Sequence, residues 1–312
     1  MPQFYLEGFK VDPQKGKKPH IWQIEKNGDQ VHYSLAIEDT GCIRDFHTLD
    51  FTDEEPDHKS IEALLSKIES EQSALVRAIR ETKQIESSQV EPLSAFISLT
   101  RYRVPSFADH VEKSLRSVVL DTFKIMYQAG QFGSPPPELQ KMFDSKGIDD
   151  SLEVNISNWK ILSHMFEVGF SPESIGLLAE CNYHVYTAAE TSFFVTSDNP
   201  VALYHPNYEK IRPYGVGLAM KGVEVTFPLT SDTLILAGHD LKPGASTASA
   251  KEVQEFNRRT ITMSERYIFA TTVTTELRRQ ISELKSVRAG FMFDNLFHGD
   301  GSIHVSRFIP VQ

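Results

Sequence analysis

Five consecutive residues, Thr196-Ser197-Asp198-Asn199-Pro200, have the side chains best suited to chemistry. The run Phe193-Phe194-Val195 before them predicts a half-buried strand, and Asp-Asn-Pro predicts a turn that ends it. A carboxylate held at the end of a strand can serve as a general acid or base, a metal ligand or a hydrogen-bond anchor. The alternative is that Ser197, Asp198 and Asn199 only bond the backbone of their own turn.

Two arginines and one asparagine are further candidates. Arg101 and Arg103 lie at a predicted helix end, where a guanidinium can clamp a carboxylate or phosphate, or can bond the last carbonyls of the helix. Asn257 lies on the apolar stripe of a helix predicted over residues 249–264, so its buried amide needs hydrogen-bond partners. It can hold the Asp198 turn in place or contact a ligand, and we favour the structural role.

Charge and hydropathy argue against two classes of partner. The net charge of −10 and the pI of about 5.6 disfavour non-specific binding to nucleic acid, which needs a basic face. No apolar run reaches the roughly 18 residues of a transmembrane helix. The N-terminus lacks the basic and apolar regions of a signal peptide. We therefore expect a cytoplasmic protein without membrane contact.

Standard catalytic and metal motifs are mostly missing from the sequence. The eleven histidines include no His-x-x-x-His pair, and two cysteines are too few for a thiolate metal site. Gly215-Val216-Gly217 lies in a loop without strand or helix context and is too weak to indicate a nucleotide site. Residues 205–222 as a whole are predicted to form a long loop, a type of segment that is often a functional lid or binding loop. A nuclease core would need lysine where Glu224-Val225-Thr226 has its threonine.

The periodicity of apolar residues divides the chain into three parts. In residues 1–55, alternating runs on both sides of Asn27-Gly28 predict a β-hairpin next to a docked N-terminal segment. In residues 56–180, apolar residues recur at helical spacing and predict an all-helical block. In residues 181–312 the period returns to two, with two late helices. The sequence therefore predicts an α+β fold in which these helices pack on a C-terminal mixed sheet.

The segments Met1-Pro2-Gln3-Phe4-Tyr5-Leu6-Glu7-Gly8-Phe9 and Phe194-Val195-Thr196-Ser197-Asp198-Asn199-Pro200-Val201 together resemble the mainly bacterial family catalogued as domain of unknown function 4238. Its members typically open with His-His-Tyr-Val-Pro-Gln-Phe-Tyr-Leu and carry a central Thr-Ser-Asp-Asn-Pro. Further matching features are Ile21-Trp22, Arg103-Val104-Pro105, Pro228-Leu229 and Asn257. The resemblance implies an α+β fold and no established activity. It also suggests that five residues form one site: Gln3, Arg103, Asp198, Asn199 and Asn257.

The paired histidines of that family pattern have no counterpart here. Met1 stands where the family has the valine of His-His-Tyr-Val, so the histidines are absent or the natural start lies upstream. If they work together with Asp198, a divalent metal ion is a candidate cofactor.

Two main functions fit these residues. The first is a hydrolase-like enzyme for a small or phosphorylated substrate, with Asp198 as acid/base or metal ligand, Arg103 as anion clamp and Asn199 orienting the aspartate. Its ligand-binding residues would be Gln3, Ser197 and Asn257. The alternative is a non-catalytic protein that binds a small-molecule ligand or regulates a partner, for example in phage defence or stress response. Weaker alternatives are a metal-dependent nuclease and an interaction scaffold on the helical block.

Overall fold

Helices dominate residues 60–179 and strands recur on both sides of this block, as the two periodicities of the sequence predict. The computed structural model describes residues 1–11, 18–28, 31–50, 55, 57–211, 215–298 and 301–311. Its helices are α1 (Gln3–Leu6), α2 (Ser60–Thr82), α3 (Ser87–Tyr102), α4 (Pro105–Gln128), α5 (Pro137–Lys146), α6 (Asn158–Gly169), α7 (Pro172–Ala179), α8 (Tyr208–Ile211), α9 (Ala250–Met263) and α10 (Thr275–Leu284). Its strands are β1 (His20–Glu25), β2 (Val31–Ala36), β3 (Asn182–Ala188), β4 (Thr196–Ser197), β5 (Ala202–Tyr204), β6 (Glu224–Thr230), β7 (Thr233–Gly238), β8 (Gly244–Ala248), β9 (Tyr267–Ala270), β10 (Gly290–His298) and β11 (Gly301–Ile309). The predicted α+β class is confirmed.

Helices α2 to α7 form the predicted helical block, with α3 in contact with α2, α6 and α7. The last ten residues of α3 are almost all buried, which places Arg101 inside the protein rather than at its surface. Pro105 disfavours helical angles at Val104, so α3 ends before it, and Pro105 opens α4 as its first residue, a position where the missing N–H of proline costs nothing. Ser171 caps α7 through a 3.0 Å bond from the N–H of Ser174.

The predicted N-terminal hairpin, β1 with β2, is part of a larger sheet. This sheet has the antiparallel order β2-β1-β9-β4 and therefore joins residues from both ends of the chain. Asp29 and Gln30, at the hairpin tip, lie outside the described residues. A second sheet has the order β5-β6-β7-β3-β8 and is antiparallel except between β3 and β8. Strands β10 and β11 form a separate two-stranded hairpin that packs on α4.

The sequence also suggests that residues 183–187 and 191–196 pair with each other, and this prediction is wrong. Residues 183–187 lie in β3 between β7 and β8, so both of its edges are occupied. Of the second segment, Thr196 alone lies in a strand, as the first residue of β4, which pairs with β9. Within the described part of the chain, no helix is long and apolar enough to cross a bilayer.

Candidate functional site

Asp198 follows β4 directly, and its carboxylate binds the backbone of the turn between α9 and β9. Oδ1 accepts the N–H of Glu265 at 2.9 Å. Oδ2 accepts the N–H groups of Arg266 at 2.8 Å and Tyr267 at 2.9 Å. Burial raises the pKa of Asp198, and these three hydrogen bonds limit the rise because they stabilise the charged form. Both carboxylate oxygens therefore have partners within the protein.

Lys26 binds the carbonyl side of the same turn. Its side chain is 1% exposed, and Nζ donates to the carbonyls of Thr262 (3.1 Å), Ser264 (3.0 Å) and Val287 (2.9 Å). Since two of these carbonyls lie at the C-terminal end of α9, the ammonium is placed at the negative pole of that helix. Burial, reinforced by the nearby positive charge of Arg288, lowers the pKa of Lys26 to about 8. Sequence reasoning missed Lys26, which lies beside a turn dipeptide.

Asn257 binds the segment that leads into β4. Its Oδ1 accepts the N–H of Val195 at 2.9 Å, and its Nδ2 donates to the carbonyl of Phe193 at 2.9 Å. An amide side chain offers one acceptor and two donors, so it can replace the pairing that a neighbouring strand would supply. Phe193 and Val195 therefore bond to Asn257 instead of to a neighbouring strand, and β4 spans only Thr196 and Ser197. Of the two roles open to Asn257, the structure places it on the backbone before the Asp198 turn.

Ser197 and Asn199 are both buried beside Asp198. Ser197 Oγ accepts the N–H of Asn199 at 3.2 Å, which closes the turn locally. Asn199 Nδ2 donates to Ser106 Oγ at 3.3 Å and so connects the turn with the beginning of α4. Ser197, Asp198, Asn199 and Asn257 thus each form hydrogen bonds that hold a part of the segment 193–200, and we call these four residues the polar network of the central motif.

Tyr5 connects the N-terminal motif with the central motif. Its ring is 1% exposed and stacks on Phe227 at a centroid distance of 5.4 Å. Its hydroxyl donates to the carbonyl of Pro228 at 2.7 Å and lies 2.7 Å from Thr196 Oγ1. Gln3, on the same short helix, is exposed. The two motifs therefore meet through Tyr5 rather than through Gln3.

Arg103 borders this network on the side of Pro200. With Met1, Pro2 and other residues it lines a void of about 10 Å³, about the minimum for one water molecule. Nη2 donates to Glu69 at 2.9 Å, whereas Nη1 is buried and has no partner among the described residues. Burial and then Arg103 lower the pKa of the Met1 amino group to about 6. The guanidinium of Arg103 is therefore paired with the carboxylate of Glu69 and borders a void too small for a ligand larger than water.

A much larger cavity, of about 410 Å³ and widely open to solvent, lies between α3, α7, the loop 215–218 and the hairpin β10–β11. Its lining includes Arg101, Leu177, Val216, Phe291, Arg307 and Phe308. The loop belongs to the predicted segment 205–222, of which residues 212–214 lie outside the described residues. The N–H of Val216 donates to the carbonyl of Phe308 at 2.9 Å, and a Cβ on Gly215 would meet the Phe308 backbone at 2.7 Å. Gly215 is therefore needed for close approach to β11.

Arg101 is the most unusual residue of this cavity. It is 4% exposed, and its guanidinium carbon lies 4.2 Å from the Phe308 ring centroid and 5.1 Å from that of Phe291. Nε and Nη1 are buried without a hydrogen-bond partner in the described part of the chain. Cation–π contacts contribute about 2 kcal/mol in such sites, whereas burying an ion costs several kcal/mol. Burial accordingly lowers the pKa of Arg101.

The other charge at the cavity is Arg307, whose Nη2 donates to Asp294 Oδ2 at 2.8 Å. None of the described residues that line the cavity is acidic, although the chain carries a net charge of −10. Nowhere in the described ranges do three His, Cys, Asp or Glu side chains gather in a way that could hold a metal ion.

These features define an α+β protein with a structural polar network at its central motif and a ligand-sized cavity at the end of α3. The chain belongs to the protein family of unknown function DUF4238, whose family model matches residues 1–274. A search of curated proteins and a search of solved structures found no match.

Proposed function

We propose that this chain is a non-catalytic binding protein that takes a small molecule into the cavity between α3, α7 and the hairpin β10–β11. The observation that carries the proposal is the cavity itself. Its volume of about 410 Å³ falls within the range of roughly 300–1,000 Å³ typical of ligand pockets. Aromatic and aliphatic side chains line it together with a few polar groups, which is the usual composition of such sites.

The hydrolase hypothesis has less support because it depends on Asp198 and Arg103. A general base must offer a lone pair to the substrate, and both oxygens of Asp198 already accept backbone N–H groups. Arg103 is paired with Glu69 and borders a void of about 10 Å³. A hydrolase or nuclease activity at Asp198 stays a prediction, because this partly exposed carboxylate already accepts three backbone N–H groups.

One observation favours a second candidate function, the interaction scaffold. Helix α4 exposes Val118, Val119 and Ile125, and Phe132 after it is also exposed. Exposed apolar residues on one helix are typical of protein contacts when they form a patch. We place this function second because nothing in the chain identifies the partner. A cytoplasmic location and the absence of non-specific nucleic-acid binding are further proposals, supported by the sequence alone.

Blocking the mouth of the cavity tests the binding function. Gly217 lines the cavity, is exposed, and has no described heavy atom within 4 Å of where its Cβ would be. Gly176 on α7 has the same open surroundings but does not line the cavity, so Gly176→Trp is a matched control for Gly217→Trp.

The measurement is thermal stabilisation of the three proteins by a library of small metabolites. We expect some compounds to raise the Tm of wild type and Gly176→Trp and to leave that of Gly217→Trp unchanged, since a ligand stabilises only the state that binds it. The proposal fails if no compound stabilises wild type, or if all stabilising compounds act equally on Gly217→Trp.

A further inference from the structure

We infer that the ligand of the cavity carries an oxyanion, a phosphate or carboxylate group, bound by Arg101 and attached to an apolar body. This inference rests on the proposed binding function and specifies the chemical class of the ligand. It concerns Arg101, whereas the family resemblance directs attention to Arg103, two residues further along the same chain.

The first argument is the hydrogen-bonding state of Arg101. A guanidinium carries five N–H donors and no acceptor. The side chain is more than nine-tenths buried and lines the cavity, and its Nε and Nη1 have no partner among the described residues. These two nitrogens have almost no accessible surface, so an oxyanion reaches them when the guanidinium turns towards the cavity. Buried polar groups are nearly always satisfied in folded proteins. The aromatic faces of Phe291 and Phe308 contact the charge without accepting its N–H groups in the way an oxygen would.

The second argument is the sign of the charge around the cavity. Arg307 also lines it, and the carboxylate of Asp294 that pairs with Arg307 is not among the lining residues. No acidic side chain is part of the described lining. A cationic ligand would therefore be repelled by Arg101, and an oxyanion would be attracted by it; Arg307 adds less to this attraction because Asp294 balances its charge.

The third argument separates an organic anion from an inorganic one. Leu177, Val216, Leu218, Phe291 and Phe308 supply much of the lining. Bare phosphate would leave these apolar groups facing water, whereas an aliphatic or aromatic body would cover them and gain the free energy of apolar burial. The shared chemistry is an oxyanion at Arg101 with an apolar body beside the phenylalanines.

Two parts of the chain contribute to this site. Arg101 and the loop 215–218 lie in the region that the family model matches, residues 1–274, whereas Phe291, Arg307 and Phe308 belong to the hairpin β10–β11 beyond it. The hairpin therefore supplies two of the three aromatic faces near the Arg101 guanidinium, and Tyr102 on α3 supplies the third at 5.5 Å.

Four probes distinguish these chemistries by calorimetry on the full chain: phenyl phosphate, 3-phenylpropionate, the neutral 3-phenylpropanol and inorganic phosphate. We expect one or both organic anions to bind, and the alcohol and inorganic phosphate to bind about tenfold or more weakly, the loss associated with one charge-assisted hydrogen bond. Binding of phenyl phosphate alone identifies a phosphate ester, and binding of 3-phenylpropionate alone identifies a carboxylate.

Arg101→Met tests the residue, Arg101→Lys tests the guanidinium geometry, and Arg278→Met on exposed α10 is the control. We expect Arg101→Met to lose affinity for the anion about tenfold to a hundredfold, Arg101→Lys to lose less, and Arg278→Met to match wild type. Arg101→Met should unfold at the same or a higher temperature than wild type, because it removes an unpaired buried charge. A purely structural arginine would instead lower the unfolding temperature when replaced.

The inference is overturned if neither organic anion binds wild type at millimolar concentration, if the alcohol binds as tightly as the anions, or if Arg101→Met keeps wild-type affinity. If library compounds still bind in a manner that Gly217→Trp abolishes, the proposed binding function survives and the anion assignment alone fails. If no library compound and no probe binds, both fail.

Discussion

Replacing Asp198 by asparagine separates a structural carboxylate from a catalytic one. Asparagine keeps the shape of the side chain but has a single acceptor oxygen. In its best orientation that oxygen accepts from Arg266 and Tyr267, and its NH₂ group then faces the N–H of Glu265, which loses its partner. The substitution therefore removes one buried hydrogen bond and changes two others from charged to neutral.

The expected loss of stability follows from these bonds. An unpaired buried N–H costs about 1–3 kcal/mol, and each charged bond that becomes neutral loses about 1 kcal/mol. Removing the charge also removes its burial penalty, the effect that raises the pKa of Asp198, and this offsets part of the loss. We expect Asp198→Asn to lower the free energy of unfolding by about 2–3 kcal/mol in the absence of any ligand.

Urea unfolding at neutral pH measures this change, with an unchanged m-value as the sign that the unfolded state is unaffected. Asp150→Asn is the matched control, since Asp150 is exposed and surface substitutions of this kind change stability by about 0.5 kcal/mol or less. If Asp198→Asn unfolds within about 0.5 kcal/mol of wild type, the three hydrogen bonds do not stabilise the fold and the carboxylate is again a candidate for chemistry.

Three further outcomes test the network around Asp198. Asn257→Ala should lose about 2–4 kcal/mol in urea unfolding because it leaves the N–H of Val195 unpaired and creates a cavity; a loss below about 1 kcal/mol contradicts this. Tyr5→Phe should lose about 1–2 kcal/mol by the same measurement, since its hydroxyl bonds Pro228 and contacts Thr196, and equal stability would contradict it. The pKa of Lys26 is about 8 in the folded state and higher in the unfolded state. Above pH 8 the folded protein therefore binds fewer protons than the unfolded chain, and the free energy of unfolding rises as the pH increases from about 8 to 9. Lys26→Met should lack that gain when unfolding is measured at both pH values, and an identical pH slope in the two proteins would refute the assignment.

Local sequence patterns were sufficient to predict helices and strands, but not which residues from distant parts of the chain bind one another. The sequence predicts a strand from Tyr267 to Ala270, and β9 has these same bounds, because the residue pattern that predicts a strand is a local property. The cap of α7 by Ser171 is equally local. By contrast, the carboxylate of Asp198 binds backbone N–H groups 67 to 69 residues away, and every residue except proline has such a group. No residue type at positions 265–267 could have identified them.

The choice between Arg101 and Arg103 shows the same limit. Both arginines lie at the end of α3, and the same two roles are predicted for each from sequence alone. Their surroundings differ because α2 brings Glu69 to Arg103, whereas the hairpin β10–β11 brings Phe291 and Phe308 to Arg101. This difference arises from packing between elements that are up to about two hundred residues apart, which periodicity does not encode.

The contact between Tyr5 and the backbone at Pro228 spans 223 residues, and this has a consequence for synthesis on the ribosome. Tyr5, Leu6 and Phe9 leave the exit tunnel well before β6, yet their buried environment needs this strand. At about 5–20 residues per second the interval is roughly 10–45 seconds. During that time the N-terminal motif is an exposed apolar segment on a growing chain, a natural binding site for a chaperone.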